Sequence, residues 1–235
     1  MKMVKIVAIV PAAGSGIRLG HKISKPYIQI NNHPLLSYSL RLLQKSPKIN
    51  EIIVVVEKGK TAQAKKLIKR YKINKVKKIV LGGPTRSESV KNGLKVVEPG
   101  TDFVLIHDGA RPFLTKSILD RCLKEVIKHK AVICAVKCSS TIKSADRNLY
   151  VTSTLDRNSL WEVQTPQVFS YDLIMRAYEK VQNKSKNFFD DASLVEKLSG
   201  GKRVKIVEGT RTNIKITTTD DLKIAKALLK TAFSV

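Results

Sequence analysis

The sequence has few cysteines, few acidic residues and no long apolar run. An odd number of cysteines (Cys122, Cys134 and Cys138) in 235 residues argues against a disulfide framework. Because no histidine pair accompanies them, these thiols are expected to be buried rather than to bind zinc. No apolar run approaches the roughly 20 residues that a membrane-crossing helix needs, so no membrane partner is expected. The first residues, Met1–Lys5, show no signal or transit peptide, and a cytoplasmic protein is predicted.

Acidic residues are scarce, since 19 Asp and Glu stand against 44 Lys and Arg, for a formal net charge of +25. Such a charge can indicate a nucleic-acid-binding protein. Most of the positive residues, however, are lysines scattered over predicted helix exteriors, as at Lys65 and Lys124, without an arginine-rich arm or an aromatic–basic stripe. The pattern favours a solvated surface that attracts anionic substrates, with no nucleic acid as a partner. A non-catalytic module that binds nucleotide or RNA is the alternative of a different class.

Strand-like and helix-like segments alternate along most of the chain, which is typical of a mostly parallel sheet covered on both faces. We therefore predict an α/β fold and a single domain spanning residues 1–235, a length that suffices for a proper core. The apolar runs predicted to form strands are Ile6–Val10, Ile52–Val56, Ile79–Leu81, Val104–Ile106, Ala131–Val136, Val204–Val207 and Ile214–Ile216.

Residues 138–160 interrupt this alternation. Short alternating runs on either side of an Asp146-Arg147-Asn148 turn predict a β-hairpin that projects from the domain. A two-stranded arm buries little surface by itself, so a second subunit is its natural cover. We therefore expect a homodimer that forms through this arm.

The loop that follows the first predicted strand runs from Pro11 to Lys25. Its small residues, with Gly14 and Gly16, let a ligand approach the backbone, whose N–H groups can form an anion-binding concavity. Arg18 and Lys25 add two positive charges, and the combination suits a polyphosphate. The glycine spacing matches neither a Walker A loop nor a dinucleotide fingerprint, and a tight connection without a ligand is the alternative reading.

Two later strands end in polar residues at the edge where open α/β sheets bind ligands. After the third strand, Thr85 and Glu88 predict a capping box, and Arg86 and Ser89 in that helix turn are candidate ligand-binding residues. The alternative is a capped helix with no ligand.

The fourth predicted strand is followed by His107, Asp108 and Arg111. The carboxylate of Asp108 could bind Mg²⁺ jointly with substrate phosphates. The guanidinium of Arg111 could bind a phosphate through two parallel hydrogen bonds. The alternative is that these two residues pair with each other. His107 is a candidate base, although a packed histidine is commoner beside a strand end.

The last third of the chain contributes one candidate cation and two acids. Lys215 lies between Ile214 and Ile216 in a predicted strand, so it is either exposed or a catalytic cation, depending on which side faces the cleft. Asp190 and Asp191 open a predicted helix, and capping of its positive N-terminal end is the role expected for them.

Together these motifs resemble those of the sugar-alcohol-phosphate cytidylyltransferases, over nearly the whole chain and in the same order. They are Pro11–Gly16 with Arg18, Lys25-Pro26, Gly82-Gly83, His107–Pro112, Asp156–Asn158, Gln164–Gln167 and Asn213–Thr217. The resemblance implies a Rossmann-like three-layer α/β/α fold with a protruding β-arm that pairs two subunits. It also implies transfer of a cytidylyl group from CTP to a polyol phosphate, with Mg²⁺. Gly109 and the segment from Asp156–Asn158 to Trp161 favour the branch that uses 2-C-methyl-D-erythritol 4-phosphate, in non-mevalonate isoprenoid synthesis, over the branch that uses ribitol 5-phosphate.

The resemblance further implies roles for individual residues. CTP would be bound by Pro11, Ala12, Ala13, Gly14, Gly16, Gly82, Arg86 and Ser89. The catalytic residues would be Arg18, Lys25, Lys215 and Asp108, with Asp108 also the metal ligand for Mg²⁺. The acceptor would be held by Arg111, Thr141, Arg157 and Thr165, of which Arg157 and Thr165 would come from the neighbouring subunit's arm.

Overall fold

Strands and helices alternate along the chain in the computed structural model, which describes residues 4–14, 24–180, 188–198 and 203–232. The strands are β1 (Ile6–Ala12), β2 (Gln29–Ile30), β3 (His33–Pro34), β4 (Glu51–Val56), β5 (Val76–Leu81), β6 (Phe103–Ile106), β7 (Ala131–Lys137), β8 (Ile142–Ala145), β9 (Val151–Leu155), β10 (Trp161–Ser170) and β11 (Lys205–Glu208). The helices are α1 (Leu35–Lys45), α2 (Thr61–Arg70), α3 (Arg86–Leu94), α4 (Lys116–His129), α5 (Tyr171–Lys180), α6 (Asp191–Leu198) and α7 (Thr219–Ala232). No helix in these ranges is long and apolar enough to cross a membrane.

Seven strands form the main sheet, in the order β11-β7-β10-β6-β1-β4-β5. Neighbouring strands run parallel except at β10, which is antiparallel to both β6 and β7. The carboxyl ends of β1, β4, β5 and β6 therefore meet at one edge of the sheet. The predicted mostly parallel α/β architecture is confirmed.

Both faces of the sheet are covered by helices. Along β1 the side chains alternate, so Ala8 and Val10 pack with one group of helices and Val7 and Ile9 with the other. Apolar residues of α1, α2 and α4 belong to the first cluster, and those of α3, α5 and α6 to the second. All three cysteines are free and buried, as the sequence predicted. Because helices pack on both faces of the sheet, the carboxyl edge is the place where a ligand is expected to approach it.

Two segments of the main chain differ from the sequence-based expectation. The strand β10 was not predicted, because its middle carries Gln164–Gln167, and a proline argues against a central strand. The sheet accommodates this segment by a shift of register between Val163 and Gln167. The predicted strand Ile214–Ile216 is wrong: the segment is unpaired, and Ile216 N donates to Ala110 O at 2.9 Å.

The predicted hairpin within residues 138–160 is confirmed, and it forms a separate two-stranded sheet from β8 and β9. Asp146 closes its turn, because its Oδ1 accepts from Asn148 N at 2.9 Å and its backbone oxygen accepts from Leu149 N. Leu149 and Tyr150 at the turn are 86% and 73% exposed. Apolar side chains so exposed fit the expectation that another surface covers the arm, and the homodimer stays a prediction.

Candidate active site

A cleft of about 530 Å³ lies at the carboxyl edge of β1, β4, β5 and β6. Parallel strands bring their ends together there, so segments distant in sequence line one cavity. The lining residues are Pro11, Ala12, Ala13, Gly14, Lys25, Pro26, Glu57, Lys58, Gly82, Gly83, Pro84, Thr85, Arg86, Ser89, Asp108, Gly109, Ala110 and Lys215. Most of the residues that the sequence assigned to nucleotide binding and catalysis thus share a cavity. Gly16 and Arg18 lie outside the described residues.

Asp108 at the end of β6 is held between two cations. Arg86 Nε donates to its Oδ1 at 2.8 Å, and Lys215 Nζ lies 2.8 Å from its Oδ2. Burial alone would raise the pKa of Asp108, but the two cations outweigh burial and hold this pKa well below its usual range. The carboxylate is therefore ionised at neutral pH. The alternative pairing with Arg111 is not adopted, because Arg111 Nη1 donates to Asn213 O at 2.7 Å instead.

His107 and Thr165 form a chain of hydrogen bonds with the backbone of Asp108. The Asp108 backbone N–H donates to Thr165 Oγ1 at 3.1 Å, and Thr165 Oγ1 lies 3.0 Å from His107 Nδ1. The other ring nitrogen, Nε2, lies 3.1 Å from the carbonyl oxygen of Arg111, so Nε2 must carry the proton and Nδ1 must accept from Thr165. Burial lowers the pKa of His107 to about 4. Both nitrogens of this buried ring are engaged within the protein, so the geometry is that of a packed histidine that orients Asp108 and Arg111.

Thr165 lies on β10 within the same chain, and only 3% of it is exposed. The expectation that a neighbouring subunit's arm contributes it is therefore wrong, since its hydroxyl is engaged by His107 and Asp108 of its own chain. Thr141 and Arg157 do belong to the arm region and are exposed. Arg157 Nη1 donates to Ser139 O at 3.2 Å, and neither Thr141 nor Arg157 lines the cleft of its own chain.

A smaller recess of about 360 Å³ adjoins the cleft, and it is lined by Arg111, Arg211, Gln164 and Lys215 among others. Arg111 Nε is buried there without a hydrogen-bond partner. Lys215 lines both the recess and the cleft. Lys215 therefore lies where the two cavities meet, between Lys25 and Arg86 of the cleft and Arg111 and Arg211 of the recess.

The glycine-rich turn after β5 is tightly packed. A Cβ on Gly82 would lie 2.5 Å from Ala13 Cβ and 2.7 Å from Ser89 Oγ, so this position requires glycine. The Ser89 hydroxyl donates to Thr85 O at 2.9 Å and accepts from Gly83 N at 3.2 Å. The predicted capping box of α3 is present, with Thr85 and Glu88 exchanging hydrogen bonds. The turn therefore presents a fixed backbone surface to the loop that follows β1.

Sequence reasoning missed one member of this site. Asp191 was expected to cap α6, yet its Oδ2 accepts from Arg86 Nη2 at 2.9 Å. Its neighbour Asp190 provides the cap, since Asp190 Oδ1 accepts from Ser193 N at 3.0 Å. No local signal separates two adjacent acids at a helix start, and the ion pair with Arg86 at the start of α3 tells them apart.

The side-chain oxygens and nitrogens of the site indicate whether it could hold a metal ion. The described residues contain no group of three or more His, Cys, Asp or Glu side chains that could hold an ion on their own. Each oxygen of Asp108 accepts from one cation and keeps further lone-pair capacity. A single carboxylate completed by phosphate oxygens is an arrangement that Mg²⁺ uses. Asp108 therefore fits this ion in the presence of a bound nucleotide.

A mostly parallel α/β/α sheet with a small-residue loop and converging cations at its carboxyl edge is an arrangement that suits a nucleotidyltransferase. The family model for 2-C-methyl-D-erythritol 4-phosphate cytidylyltransferase matches residues 6–231, and the chain belongs to this family. The enzyme of that name from Alkaliphilus oremlandii is 44% identical over 228 residues, covering 97% of this chain and 96% of the relative. The one from Syntrophus aciditrophicus is 44% identical over 227 residues, covering 96% of each.

Solved structures agree with this assignment. The crystal structure of 4-diphosphocytidyl-2C-methyl-D-erythritol synthase from Anaerococcus prevotii has a TM-score of 0.86 and 36% identity, covering 97% of this chain and 96% of that chain. The 2-C-methyl-D-erythritol 4-phosphate cytidylyltransferase from Thermus thermophilus has a TM-score of 0.76 and 27% identity, covering 97% and 100%. The Rossmann-like cytidylyltransferase fold implied by the sequence motifs is therefore confirmed.

Proposed function

We propose that this chain transfers the cytidylyl group of CTP to 2-C-methyl-D-erythritol 4-phosphate, giving 4-diphosphocytidyl-2-C-methyl-D-erythritol and pyrophosphate. The observation that carries the proposal is the position of Lys215, which lines both the large cleft and the smaller recess. Two cavities that share one cation can bring two anionic substrates into contact. Membership in the family supports the identity of those substrates.

The reaction is a substitution at phosphorus. An oxygen of the acceptor's phosphate forms a bond to the α-phosphorus of CTP, and the bond from that phosphorus to the bridging oxygen breaks, so that pyrophosphate leaves. The attacking phosphate is already ionised at neutral pH, and no general base is required. The main obstacle is repulsion between two anions, which positioned cations reduce.

Each cation of the site would bind a different phosphate group, according to the cavity that it lines. Lys25 lines the nucleotide cleft beside the loop that follows β1, and with Arg18 it would bind the triphosphate and stabilise charge as pyrophosphate leaves. Arg111 lines the recess and would hold the acceptor's phosphate. Lys215 lies between them and would neutralise the two phosphates as they approach.

Asp108 would hold Mg²⁺ together with the phosphates of the nucleotide. When bound, this ion supplies positive charge at the triphosphate. Arg86 and Lys215 fix the two oxygens of the carboxylate in place before any ligand binds. Removal of divalent metal by a chelator should therefore abolish turnover, and added Mg²⁺ should restore it.

The arm would complete the site of a second copy of this chain. Arg157 and Thr141 are exposed and lie away from the cleft of their own chain, so they are free to reach an acceptor in a neighbouring subunit. The exposed Leu149 and Tyr150 would be covered in the same dimer. A cytoplasmic location stays a prediction from the sequence.

A pyrophosphate-release assay tests the proposal. The chain is given CTP, UTP or ATP with Mg²⁺, each combined with 2-C-methyl-D-erythritol 4-phosphate or ribitol 5-phosphate. Release only with CTP and the methylerythritol acceptor is expected. Turnover of ribitol 5-phosphate alone would assign the other acceptor, and binding of nucleotide without any release would favour a non-catalytic module.

A further inference from the structure

Asp191 is a buried acid with a specific partner in the site and no assigned role. It is the first residue of α6, only 1% of it is exposed, and it does not line the cleft. Its Oδ2 accepts from Arg86 Nη2 at 2.9 Å, and its Oδ1 accepts from the Tyr178 hydroxyl at 2.6 Å. Both oxygens are thus occupied by partners within the protein, and any influence on the substrates must pass through Arg86.

The start of α6 does not need this carboxylate. Asp190 caps the helix through Ser193, and Asp190 Oδ2 accepts from Gln167 Nε2 at 2.9 Å. Gln167 Oε1 in turn accepts from Ala192 N at 3.1 Å, which fastens the helix start to β10. Because these contacts cap the helix and hold its start against the sheet, the carboxylate of Asp191 is left for its partners Arg86 and Tyr178.

The guanidinium of Arg86 is hydrogen-bonded to a carboxylate on each of two edges. Its backbone is fixed by the capping box of α3, its Nε donates to Asp108 and its Nη2 to Asp191. Burial alone would lower the pKa of Arg86, but the two carboxylates outweigh it and raise the pKa well above its ordinary value. A guanidinium held by two carboxylates has one orientation, whereas a guanidinium held by Asp108 alone can rotate about that single contact and fixes the carboxylate of Asp108 less well.

We propose that Asp191, braced by Tyr178, is a positioning residue that holds Arg86 so that Arg86 fixes the carboxylate of Asp108 at the cleft. Its kinetic consequence rests on the proposed function, because Asp108 acts on substrates only if the cleft is the active site. The positioning itself is a property of the free protein.

The kinetic test compares the two adjacent acids at the start of α6. Asp191→Asn removes the charge that grips Arg86, and kcat should fall about 10–100-fold, as for other residues that orient a catalytic group. The KM for CTP should change by no more than about threefold, since no substrate contact is lost. Asp190→Asn is the matched control, and its kcat should stay within about threefold of the wild type. An equal loss in both variants would mean that docking of α6 matters, and the proposal would be wrong.

A double-mutant cycle tests whether the effect passes through Arg86. Lysine has no planar guanidinium for Asp191 to hold. In an Arg86→Lys background, the further change Asp191→Asn should therefore lower kcat by less than about threefold. An undiminished cost in that background would show that Asp191 acts by another route. Tyr178→Phe removes the hydrogen bond to Asp191 but keeps the Arg86–Asp191 ion pair, so kcat should fall less than in Asp191→Asn.

A measurement without substrate separates the positioning from the reaction. The Arg86 Nε–H is hydrogen-bonded to Asp108, and Asp191→Asn should speed its exchange with solvent, followed by ¹⁵N NMR, by about tenfold. Faster exchange in a protein that does not transfer cytidylyl groups would overturn the proposed function and leave the positioning intact. Unchanged exchange would overturn the positioning, whatever the activity.

Discussion

Lys215 and Asp108 form an ion pair with 2.8 Å between Nζ and Oδ2, which joins the C-terminal part of the chain to the end of β6. The segment around Lys215 is not paired to the sheet, so no strand geometry dictates where its side chain points. The direction is set instead by Asp108 and by the hydrogen bond from Ile216 to Ala110. An acid that is itself fixed by Arg86 therefore aims the ammonium group at the junction of the cleft and the recess.

Lys215→Gln should lower kcat/KM by about 10²–10³-fold, the loss found when one preorganised group that stabilises transition-state charge is removed. The change keeps a long polar side chain at the junction but deletes the positive charge. Steady-state pyrophosphate release measures it. Lys223→Gln on α7 is the control, because Lys223 is exposed and pairs with the exposed Asp220 on its own helix. Equal kinetics for Lys215→Gln and Lys223→Gln would remove Lys215 from the site.

Acid should destabilise this protein partly through His107. Folding lowers the pKa of this ring from 6.5 to about 4. As the pH falls from 6.5 to 4, the histidine therefore becomes protonated in the unfolded chain while it stays neutral in the folded protein. Stability is thus lost across that window, by about 3 kcal/mol in total for a shift of this size. Asp108 contributes only at lower pH, since its pKa lies below its usual range and its stabilisation is lost as the carboxylate protonates.

His107→Gln tests this contribution. Glutamine does not titrate, so the free energy of unfolding of the variant, measured by urea titration, should vary less between pH 6.5 and pH 4 than that of the wild type. His33→Gln is a suitable control, because His33 lies on β3 and contacts Tyr71 away from the cleft. A wild-type slope in the His107→Gln variant would show that another group carries the acid sensitivity.

The fold was largely predictable because its signals are local. Continuous apolar runs such as Ile52–Val56 indicate strands buried on both faces, and capping signals such as Thr85 with Glu88 fix helix starts. The cleft followed from the rule that parallel strands end at one edge. The strand β10 was missed because its proline and polar residues contradict the pattern of a central strand, and it exists because a shift of register and long-range pairing compensate.

The detailed partners within the site were not predictable in the same way. An Asp108–Arg111 pair was a reasonable local alternative, but Asp108 takes Arg86 and Lys215 as partners from distant segments. Asp191 could be read only as a helix-capping acid, because its partner Arg86 lies on another helix. Such pairings depend on how layers pack across the sheet, and a single sequence carries no local trace of that packing.

Arg157→Ala should raise the KM for the acceptor and leave the KM for CTP unchanged, because the arm would reach only the acceptor of the neighbouring subunit.

Mixing of subunits from two variants tests the sharing of the arm more directly. In a mixed dimer of Arg157→Ala with Lys215→Gln, one site has an intact Lys215 and receives an intact Arg157 from the other chain. At low acceptor concentration a 1:1 mixture of two weakly active variants should regain about a quarter of wild-type activity. No gain on mixing, with dimers shown by sedimentation, would contradict sharing of the arm.

Gly82→Ala should damage the nucleotide cleft, whereas Gly14→Ala should not disturb the fold. An added Cβ at Gly82 would meet Ala13 Cβ at 2.5 Å and Ser89 Oγ at 2.7 Å, so the turn after β5 and the loop after β1 must move apart. Overpacking of this kind costs about 1–3 kcal/mol of unfolding free energy, and the displaced backbone should also raise the KM for CTP. At Gly14 a Cβ meets nothing within 4 Å among the residues that the structure describes, so the unfolding free energy should change by less than about 0.5 kcal/mol. Urea unfolding of both variants measures the contrast, and equal stabilities would show that the turn and the loop are not in close contact.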